Sequence, residues 1–431
     1  MIKLTVNIAV ILLGITMLTA CQKDKWLEKV DDNGVVFQKK PIWKTINNSD
    51  PRNPGSGPRF GKFVNANLLD GFADIPANFE FKLSLLNVKD GAAQWQWKDL
   101  IKSGEKLSLL DYQGATVYQQ DQFLLYHTGP RTYCINAETG TTIWKKTTDY
   151  SGIGLCYGLG AHYFTFGTPI DLYDKSIWEQ SIYRGDIRTG KEEQILTPRY
   201  SRKYIREGIT KSDVGFVNDI RPLVEGKDTL LLITYSELGP QRPEQEAYLS
   251  LYNLSVKKWV YDRKPLWGER KDGIRNGAVR LRGDKMYTIT SNEVVCHHWR
   301  TGERVWTKVL PSFAEIQGIF ENRYMVLYDS MSTLYCVDAD TGEQIWKLGN
   351  ETLDYTSSYC DQGILYYLAK GNLRARELKT TKLLWDIPSD TPNKLDGGFW
   401  VFVTGLPGKD SEKGRIFTRT GYHTYCFEAI K

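Results

Sequence analysis

The fold of this 431-residue chain is decided by a stretch that runs from Leu334 to Trp346 and reads LYCVDADTGEQIW. An apolar strand ends at Asp338, a turn closes at Gly342, and a second strand carries Trp346 four residues after the glycine. Glycine takes the left-handed conformation of such a turn at little steric cost. The stretch therefore predicts a β-hairpin.

The same phrase recurs along the chain, which is typical of repeat architectures. Clear copies run from Tyr133 to Trp144 and from Val295 to Trp306. The degenerate copies run from Asn87 to Trp95, from Asp186 to Gln194 in the Trp place, from Glu377 to Trp385, and from Asn253 to Trp259 through a shortened turn. Successive Trp positions are 39 to 65 residues apart, which accommodates four short strands in each repeat.

The recurring tryptophan indicates how the repeats pack. It falls on the same face of each hairpin, where we expect the indole to pack against the neighbouring repeat and to bury about 150–250 Å². A sheet that buries both faces against its neighbours predicts radial stacking, which requires closure. The fold class predicted is all-β, an eight-bladed β-propeller of four-stranded antiparallel blades.

The two ends of the chain predict how the last blade is completed. The final residues, Tyr425 to Ala429, match Tyr335 to Ala339 but stop before the glycine turn and the Trp strand. Near the N-terminus, Val35 to Phe37 and then Ile42 and Trp43 supply a strand with a tryptophan and no preceding partner. We therefore expect this N-terminal strand to complete the last blade as its outer strand.

The longest spacing between repeats predicts an insertion within Tyr200 to Glu246. Basic and aromatic residues alternate at its start, and a loop of this kind on one propeller face is a candidate partner-binding surface. The candidate residues are Arg199, Tyr200, Arg202, Lys203, Tyr204 and Arg206. The alternative is an ordinary solvated loop.

The N-terminus has the pattern of a secretory signal peptide. Lys3 precedes an apolar run, Leu4 to Leu18, that is too short to span a bilayer. The residues LTAC at 18–21 resemble the bacterial lipobox, which implies cleavage before Cys21 and acylation of its thiol. We expect a signal peptide at 1–20, a lipidated tether at 21–34 and the propeller at 35–431. The expected location is the outer membrane, at its periplasmic face or the cell surface.

The repeat DADTGEQIW at Asp338 to Trp346, and nearly the same phrase at Asn136 to Trp144, resembles the repeat of quinoprotein-type, PQQ-like propellers. The resemblance covers most of residues 35–431. That family includes alcohol and sugar dehydrogenases that use pyrroloquinoline quinone. It also includes outer-membrane assembly lipoproteins that bind no cofactor, so the resemblance predicts the fold and leaves the function open.

The residues favour the non-catalytic branch of this family. The chain has no adjacent cysteines, no Cys-x-x-Cys-His and no catalytic, phosphate-loop or zinc motif. Calcium in quinone sites takes oxygen ligands, but the repeated Asp and Asn residues all fall at strand ends, where turn formation explains them. His297 and His298 are adjacent and point to opposite faces of a strand. We therefore expect no cofactor, no metal site and no catalytic residue.

The cysteine positions and the net charge bear on two further questions, disulfide bonding and nucleic-acid binding. Cys134, Cys296, Cys336 and Cys426 recur at one place in the repeat, which predicts small apolar residues inside strands. Cys156 and Cys360 lie outside that register, and their pairing stays open. The formal net charge is +5 at pH 7, without a concentrated basic segment, so nucleic acid is not an expected partner.

These observations lead to one main functional hypothesis and two alternatives. The main one is a lipid-anchored scaffold that binds a protein partner of the cell envelope and reaches the membrane through its anchor. The first alternative is a surface carbohydrate-binding lipoprotein that stacks a glycan on tryptophans outside the repeat register, namely Trp178, Trp267, Trp299 and Trp400. The second alternative is a quinone-dependent dehydrogenase.

Overall fold

The structure is a computed structural model. It describes residues 28–46, 61–73, 81–99, 116–129, 131–151, 155–169, 180–199, 215–238, 245–266, 279–290, 292–390, 398–399, 402–409 and 412–431. Cys21, the loop residues from Tyr200 to Arg206, and Trp178, Trp267 and Trp400 lie outside these ranges. Within the described ranges no helix is long and apolar enough to cross a membrane.

The described residues form strands and turns, with no α-helix among them. The strands in chain order are β1 (Lys29–Val30), β2 (Val36–Gln38), β3 (Trp43–Ile46), β4 (Lys62–Val64), β5 (Asn67–Ala73), β6 (Phe81–Leu86), β7 (Ala93–Trp97), β8 (Thr116–Gln120), β9 (Phe123–Thr128), β10 (Arg131–Asn136), β11 (Thr142–Thr147), β12 (Tyr150–Ser151), β13 (Tyr157–Leu159), β14 (His162–Pro169), β15 (Ser181–Asp186), β16 (Glu192–Leu196), β17 (Gly215–Glu225) and β18 (Asp228–Leu238). They continue with β19 (Gln245–Asn253), β20 (Lys258–Pro265), β21 (Arg280–Arg282), β22 (Lys285–Thr290), β23 (Glu293–His298), β24 (Arg304–Val309), β25 (Ala314–Phe320), β26 (Tyr324–Asp329), β27 (Leu334–Asp338), β28 (Gln344–Leu348), β29 (Leu353–Asp361), β30 (Ile364–Ala369), β31 (Asn372–Glu377), β32 (Leu383–Pro388), β33 (Val403–Leu406), β34 (Arg415–Arg419) and β35 (His423–Glu428).

These strands form eight sheets, which we number as blades in chain order. Blades 1 to 6 are β4–β7, β8–β11, β13–β16 with β12 added, β17–β20, β21–β24 and β25–β28. Blade 7 is β29–β32 and blade 8 is β33–β35 with β3. The fold is an eight-bladed all-β propeller of four-stranded antiparallel blades, and the predicted fold class is confirmed.

The chain divides into two compact units. Unit 1 comprises Met1–Pro54, Lys89–Gly91 and Leu353–Lys431, and therefore holds blades 7 and 8. Unit 2 comprises Gly55–Val88 and Ala92–Thr352, and holds blades 1 to 6 except for the turn residues of blade 1.

In unit 2 the hydrophobic core lies between adjacent blades. Leu83, Leu85 and Trp95 of blade 1 pack in one cluster with Tyr133 and Ile135 of blade 2. A second cluster joins blades 5 and 6 in the same way. Each blade thus buries a face against its neighbour, as the repeat pattern predicts.

In unit 1 the N-terminal strand completes blade 8, as predicted. β3 pairs antiparallel with β35, and Trp43 lies opposite Cys426. The pairing of the two preceding strands, β1 and β2, was not predicted from the sequence. Val36 in β2 pairs in parallel with Trp385 on the outer strand of blade 7, and β1 pairs with β2. The two apolar segments expected to form one strand therefore extend two different blades.

The turn after the third strand has the predicted glycine geometry in blades 1, 2, 3, 5 and 6. Gly140, Gly190 and Gly342 have φ values of 71°, 70° and 74°, in the left-handed region. The amide N–H of Gly342 donates to the carbonyl of Asp338 at 2.8 Å, and the Asp338 carboxylate accepts from the N–H groups of Asp340 and Thr341. The strand-end Asp therefore forms the turn that follows it.

The indole of the repeat packs against the next blade, as predicted. Trp95 donates its Nε1–H to the carbonyl of Ala137 at 3.0 Å, and Trp306 donates to Ala339 at 3.2 Å. A Cβ atom added at Gly342 would lie 2.7 Å from the Trp306 ring. The glycine of one blade thus leaves the space that the indole of the preceding blade fills.

Two interpretations of the repeat register were wrong. In blade 4 the Trp place is held by Tyr261 and not by Trp259, because Leu251 pairs with Tyr261 and the Tyr261 hydroxyl donates to the carbonyl of Trp299 at 2.6 Å. The turn is of normal length, with Lys257 at φ 53° in the glycine place. Trp299 does not lie outside the register. It holds the place of Ala137 and Ala339.

Candidate functional site

The strand-end carboxylates and amides are used within their own turns. Asn136 accepts from the N–H groups of Glu138 and Thr139, and Asp186 accepts from those of Arg188 and Thr189. Among the residues that the structure describes, no group of three or more His, Cys, Asp or Glu could hold a metal ion.

The repeat cysteines are core residues, as predicted. Cys134, Cys296, Cys336 and Cys426 are buried, and burial raises the pKa of each thiol to about 12. Three of them lie opposite the tryptophan of the next strand: Cys134 opposite Trp144, Cys296 opposite Trp306 and Cys336 opposite Trp346. All six described cysteines are free thiols, including Cys156 and Cys360.

Trp299 is not available to stack on a glycan. Its side chain is 6% exposed, and its Nε1–H donates to the carbonyl of Gly283 at 2.9 Å. The guanidinium of Arg300 lies 4.3 Å from the centroid of its ring. Stacking on a sugar needs an accessible ring face, so nothing at Trp299 supports the carbohydrate hypothesis.

Blade 4 is the longest blade of unit 2. β17 and β18 have 11 residues each, and β19 has nine. Much of the predicted insertion is therefore an extension of regular strands. The extended end of blade 4 adjoins the described start of the candidate loop, where Arg199 is the one candidate residue that the structure describes.

A polar network holds Arg199 against blade 4. Arg263 donates its Nη1–H to the carbonyl of Arg199 at 2.8 Å and forms an ion pair with the buried carboxylate of Glu237. The Arg263 guanidinium also lies 4.0 Å from the ring centroid of Tyr248. Burial opposes its charge, but Glu237 raises the pKa of Arg263 above its ordinary value. This network fixes the point at which the candidate loop leaves blade 3.

Sequence reasoning missed Arg263 because the repeat register was misplaced in blade 4. Arg263 lies two residues after Tyr261 and has a φ of 55°, which is uncommon for a residue with a side chain. Its N–H donates to the hydroxyl of Ser250 at 2.9 Å, at a point where the pairing of β19 and β20 shifts. In the clear copies of the repeat the tryptophan follows the strand-end Asp or Asn by eight residues, and the same count from Asn253 gives Tyr261. Nothing in the sequence marks the shift in strand pairing near Arg263.

A second polar cluster lies on the first strands of unit 2, and sequence reasoning missed it as well. We call it the inner-strand cluster, and it comprises Tyr157, Asp219, Arg221 and the backbone N–H of Val279. Tyr157 lies on β13, Asp219 and Arg221 lie on β17, and Val279 directly precedes β21. No two of these three strands are hydrogen-bonded in one sheet. No sequence motif could have brought them together.

Asp219 lies at the centre of the hydrogen bonds in the inner-strand cluster. Its side chain is fully buried, and its Oδ2 accepts from Arg221 Nη2 at 2.9 Å and from the Val279 N–H at 2.6 Å. Burial raises the pKa of Asp219, and Arg221 opposes this rise. The Arg221 guanidinium lies 4.2 Å from the ring centroid of Tyr157. Blades 3, 4 and 5 thus meet around one buried carboxylate.

The fold and its repeats define the class of this protein as an eight-bladed β-propeller. Residues 262–430 match the family model described as outer membrane protein assembly factor BamB. A comparison with curated proteins finds no match.

Solved structures resemble the chain at low identity. A quinohemoprotein alcohol dehydrogenase from Comamonas testosteroni is 8% identical, with a TM-score of 0.59 over 90% of this chain and 76% of that one. Sqt1 from Saccharomyces cerevisiae is 9% identical, with a TM-score of 0.58 over 91% and 99%. BamB from Moraxella catarrhalis is 12% identical, with a TM-score of 0.49 over 84% and 94%. At these identities the likeness concerns the fold alone.

Proposed function

We propose that this chain is a non-catalytic, lipid-anchored propeller that binds a protein partner at the bacterial outer membrane. The observation that carries the proposal is the match of residues 262–430 to a family of outer membrane protein assembly factors. The use of the repeat Asp and Asn side chains inside their own turns supports a binding role over quinone chemistry.

The proposal includes the anchor and the domain limits. The residues LTAC at 18–21 support acylation of Cys21, a signal peptide at 1–20 and a tether at 21–34 before the propeller at 35–431. Multiple acyl chains give stable attachment without a transmembrane helix.

The candidate contact surface is the loop that starts at Arg199, together with the extended end of blade 4. Arg263 and Glu237 form an ion pair under the start of this loop and give it a fixed base. Arg and Tyr side chains are enriched in the hot spots of protein interfaces. The alternation of such residues at Arg202, Tyr204 and Arg206 supports this surface over an ordinary solvated loop.

The test replaces Arg202, Tyr204 and Arg206 by alanine in the full-length, affinity-tagged chain. After crosslinking in cells, the partner that co-purifies with the wild-type chain should be lost, because hot-spot truncations cost about 2 kcal/mol or more each. The thermal midpoint of the purified variant should stay unchanged.

The matched control removes two basic residues from another turn, Arg188 and Lys191 of blade 3, both of which are exposed. This control should retain the partner. An unchanged set of co-purifying proteins in the triple variant would remove the loop from the proposal. A wild-type chain that recovers no envelope protein would contradict the proposed function itself.

A further inference from the structure

We propose that the outer edge of blades 7 and 8 lies against a lipid bilayer. The contact is made by four exposed apolar side chains, which we call the N-terminal edge patch: Val30, Phe37, Ile42 and Ile46. The inference rests on the proposed acylation of Cys21, and it adds a second membrane contact that the folded propeller makes itself. It uses residues of unit 1, whereas the candidate loop belongs to unit 2.

The patch is a local concentration of exposed apolar side chains. Among the described residues, twelve large hydrophobic side chains are exposed, and four of them lie in the short segment 30–46. The exposed fractions of these four are between 42% and 68%, and the other eight are divided among blades 2, 4, 5 and 6. A single exposed apolar side chain is ordinary, whereas a group of them marks a surface that contacts a membrane or another protein.

The two members of the patch on blade 7 lie on adjacent strands. Val30 is on β1 and Phe37 is on β2, and these strands pair with Val30 opposite Val36 and Lys29 opposite Gln38. β2 pairs in turn with β32, so β1 and β2 are the outermost strands of this blade. Successive side chains point to opposite faces of a sheet, and the two apolar side chains therefore flank the same rim.

The two members on blade 8 lie at the two ends of its outermost strand, β3. Ile42 directly precedes β3 and donates its N–H to the carbonyl of Cys426 at 2.7 Å. Ile46 is the last residue of β3 and lies opposite His423. Side chains four positions apart along a strand share a face, so both isoleucines extend from one side of this rim.

Direct contacts hold the two rims side by side within unit 1. Lys44 on β3 forms an ion pair at 2.9 Å with Asp390, which follows β32, and the hydroxyl of Tyr425 donates to the same carboxylate at 2.6 Å. Trp385 of blade 7 and Tyr425 of blade 8 belong to one buried hydrophobic cluster. The patch therefore spans the outermost strands of two blades in contact, and one flat surface can touch both.

The short distance from Cys21 selects a bilayer as the surface that covers the patch. Val30 follows Cys21 by nine positions. An extended chain reaches at most about 3.6 Å per residue, so the two residues are never more than about 32 Å apart. Because an acylated Cys21 lies at the bilayer surface, the anchor holds the patch close to lipid. Such tethering raises the effective concentration of a second contact, so weak apolar contacts suffice.

The charge of the segment agrees with an anionic lipid surface. Residues 21–46 contain six lysines and four acidic residues, a net charge of +2. Lys29 and Lys40 are exposed beside the patch. The carboxylate of Asp31 accepts two backbone N–H groups of its own turn. Lysines are attracted to an anionic leaflet, and their long side chains keep the ammonium group in the headgroup layer while apolar neighbours go deeper.

The experiment uses the chain produced with its own signal sequence, purified in detergent and reconstituted into vesicles of phosphatidylethanolamine and phosphatidylglycerol. A nitrobenzoxadiazole probe is attached at Ile46→Cys, and the unsubstituted chain gives the background labelling. The matched control is Met331→Cys in blade 6, where the side chain is 67% exposed compared with 68% for Ile46. Spin-labelled lipids should quench the probe at position 46 about threefold or more strongly than the control probe, because a docked residue reaches the boundary of headgroups and acyl chains.

A second variant tests whether the patch acts as a unit. Phe37→Asp/Ile42→Asp changes two exposed side chains, so the chain should fold, and the quenching at position 46 should fall to the control level because a carboxylate opposes transfer into lipid. The matched pair is Val305→Asp/Ile345→Asp, which changes exposed aliphatic residues of blades 5 and 6. This pair should leave the quenching at position 46 unchanged.

The intact mass of the same samples separates the two proposals. A chain without acyl groups on Cys21 contradicts the proposed anchor and the docking with it. An acylated chain whose probes at positions 46 and 331 are quenched equally overturns the docking and leaves the anchor in place, and so does unchanged quenching in Phe37→Asp/Ile42→Asp. Protection of position 46 from aqueous iodide in the Cys21→Ser chain, without lipid, would assign the patch to a contact between two copies of the chain and would also overturn the lipid contact.

Discussion

The glycine of the repeat turn has two roles at the level of a single residue. It adopts a positive φ, and it leaves room for the indole of the preceding blade, which would lie only 2.7 Å from a Cβ atom added at either Gly140 or Gly342. The second role explains an exception. Blade 3 has Gln194 where most other blades have tryptophan and blade 4 has Tyr261, and the next turn, in blade 4, has Lys257 at φ 53° in place of glycine.

The two roles can be separated by two substitutions. Gly226 has a positive φ of 61°, and a Cβ atom added there would lie in open space. Gly226→Ala should therefore lower the free energy of unfolding by about 1–2 kcal/mol through backbone strain alone. Gly342→Ala should cost more, because the Cβ would also collide with Trp306. Urea unfolding of both variants measures the difference. Equal losses in the two variants would show that the space for the indole is unimportant.

At the level of elements, the outer strand of blade 8 comes from the other end of the chain. β3 pairs with β35, and the N–H of Ile42 donates to the carbonyl of Cys426 at 2.7 Å. Trp43 is 8% exposed and lies opposite Cys426, which is fully buried. Blade 8 therefore has a complete outer strand only when residues 43–46 are in place.

Trp43→Ala should open the outer edge of blade 8. The expected result is that iodoacetamide labels Cys426 much faster than in the wild type, because loss of burial restores the ordinary pKa of the thiol and exposes the sulfur. Peptide mass spectrometry reads the labelling of each cysteine separately. Cys336 in blade 6 is the internal control and should stay protected. Equal protection of both thiols in the variant would contradict the assignment of β3 to blade 8.

At the level of the whole molecule, the free energy of unfolding should depend on pH through His297. The side chain is fully buried, and burial lowers its pKa from 6.5 to about 4. Below pH 6.5 the unfolded chain gains a proton at this residue that the folded chain does not accept. Stability should therefore fall between pH 6.5 and about 4, by about 3 kcal/mol over the full window, and should show no such dependence above it.

The measurement is urea unfolding at a series of pH values. His297→Gln should flatten the pH dependence in this window, because the non-titrating side chain removes the difference in proton binding. His298→Gln is the control, since the His298 side chain is only partly buried and its Nδ1 lies 3.1 Å from the Asp284 carboxylate. If the wild type and His297→Gln have parallel pH profiles, His297 does not carry the effect.

The sequence by itself determined the hairpins, the number of blades and the use of the N-terminal strand to complete blade 8. The blade number and the closing strand follow from counting complete and incomplete copies of the repeat. The hairpins follow from local rules: an Asp or Asn at a strand end, a residue with positive φ four positions later and an aromatic residue four positions after that. Each rule acts within about ten residues, where the backbone limits the available geometries. The copies that begin at Asp338 and Asn136 contain all three residue types at this spacing.

Only the tertiary structure decided the features that depend on contacts between distant strands. It placed Tyr261 rather than Trp259 in the indole position, put β2 in parallel on blade 7, buried Trp299 and brought Arg221 and the Val279 N–H to Asp219. In each case the partner lies on another strand or blade, and no local rule fixes which distant strand a residue will meet. The polar clusters of blade 4 and of the inner strands arise in this way, because packing of the blades determines which charges share a space.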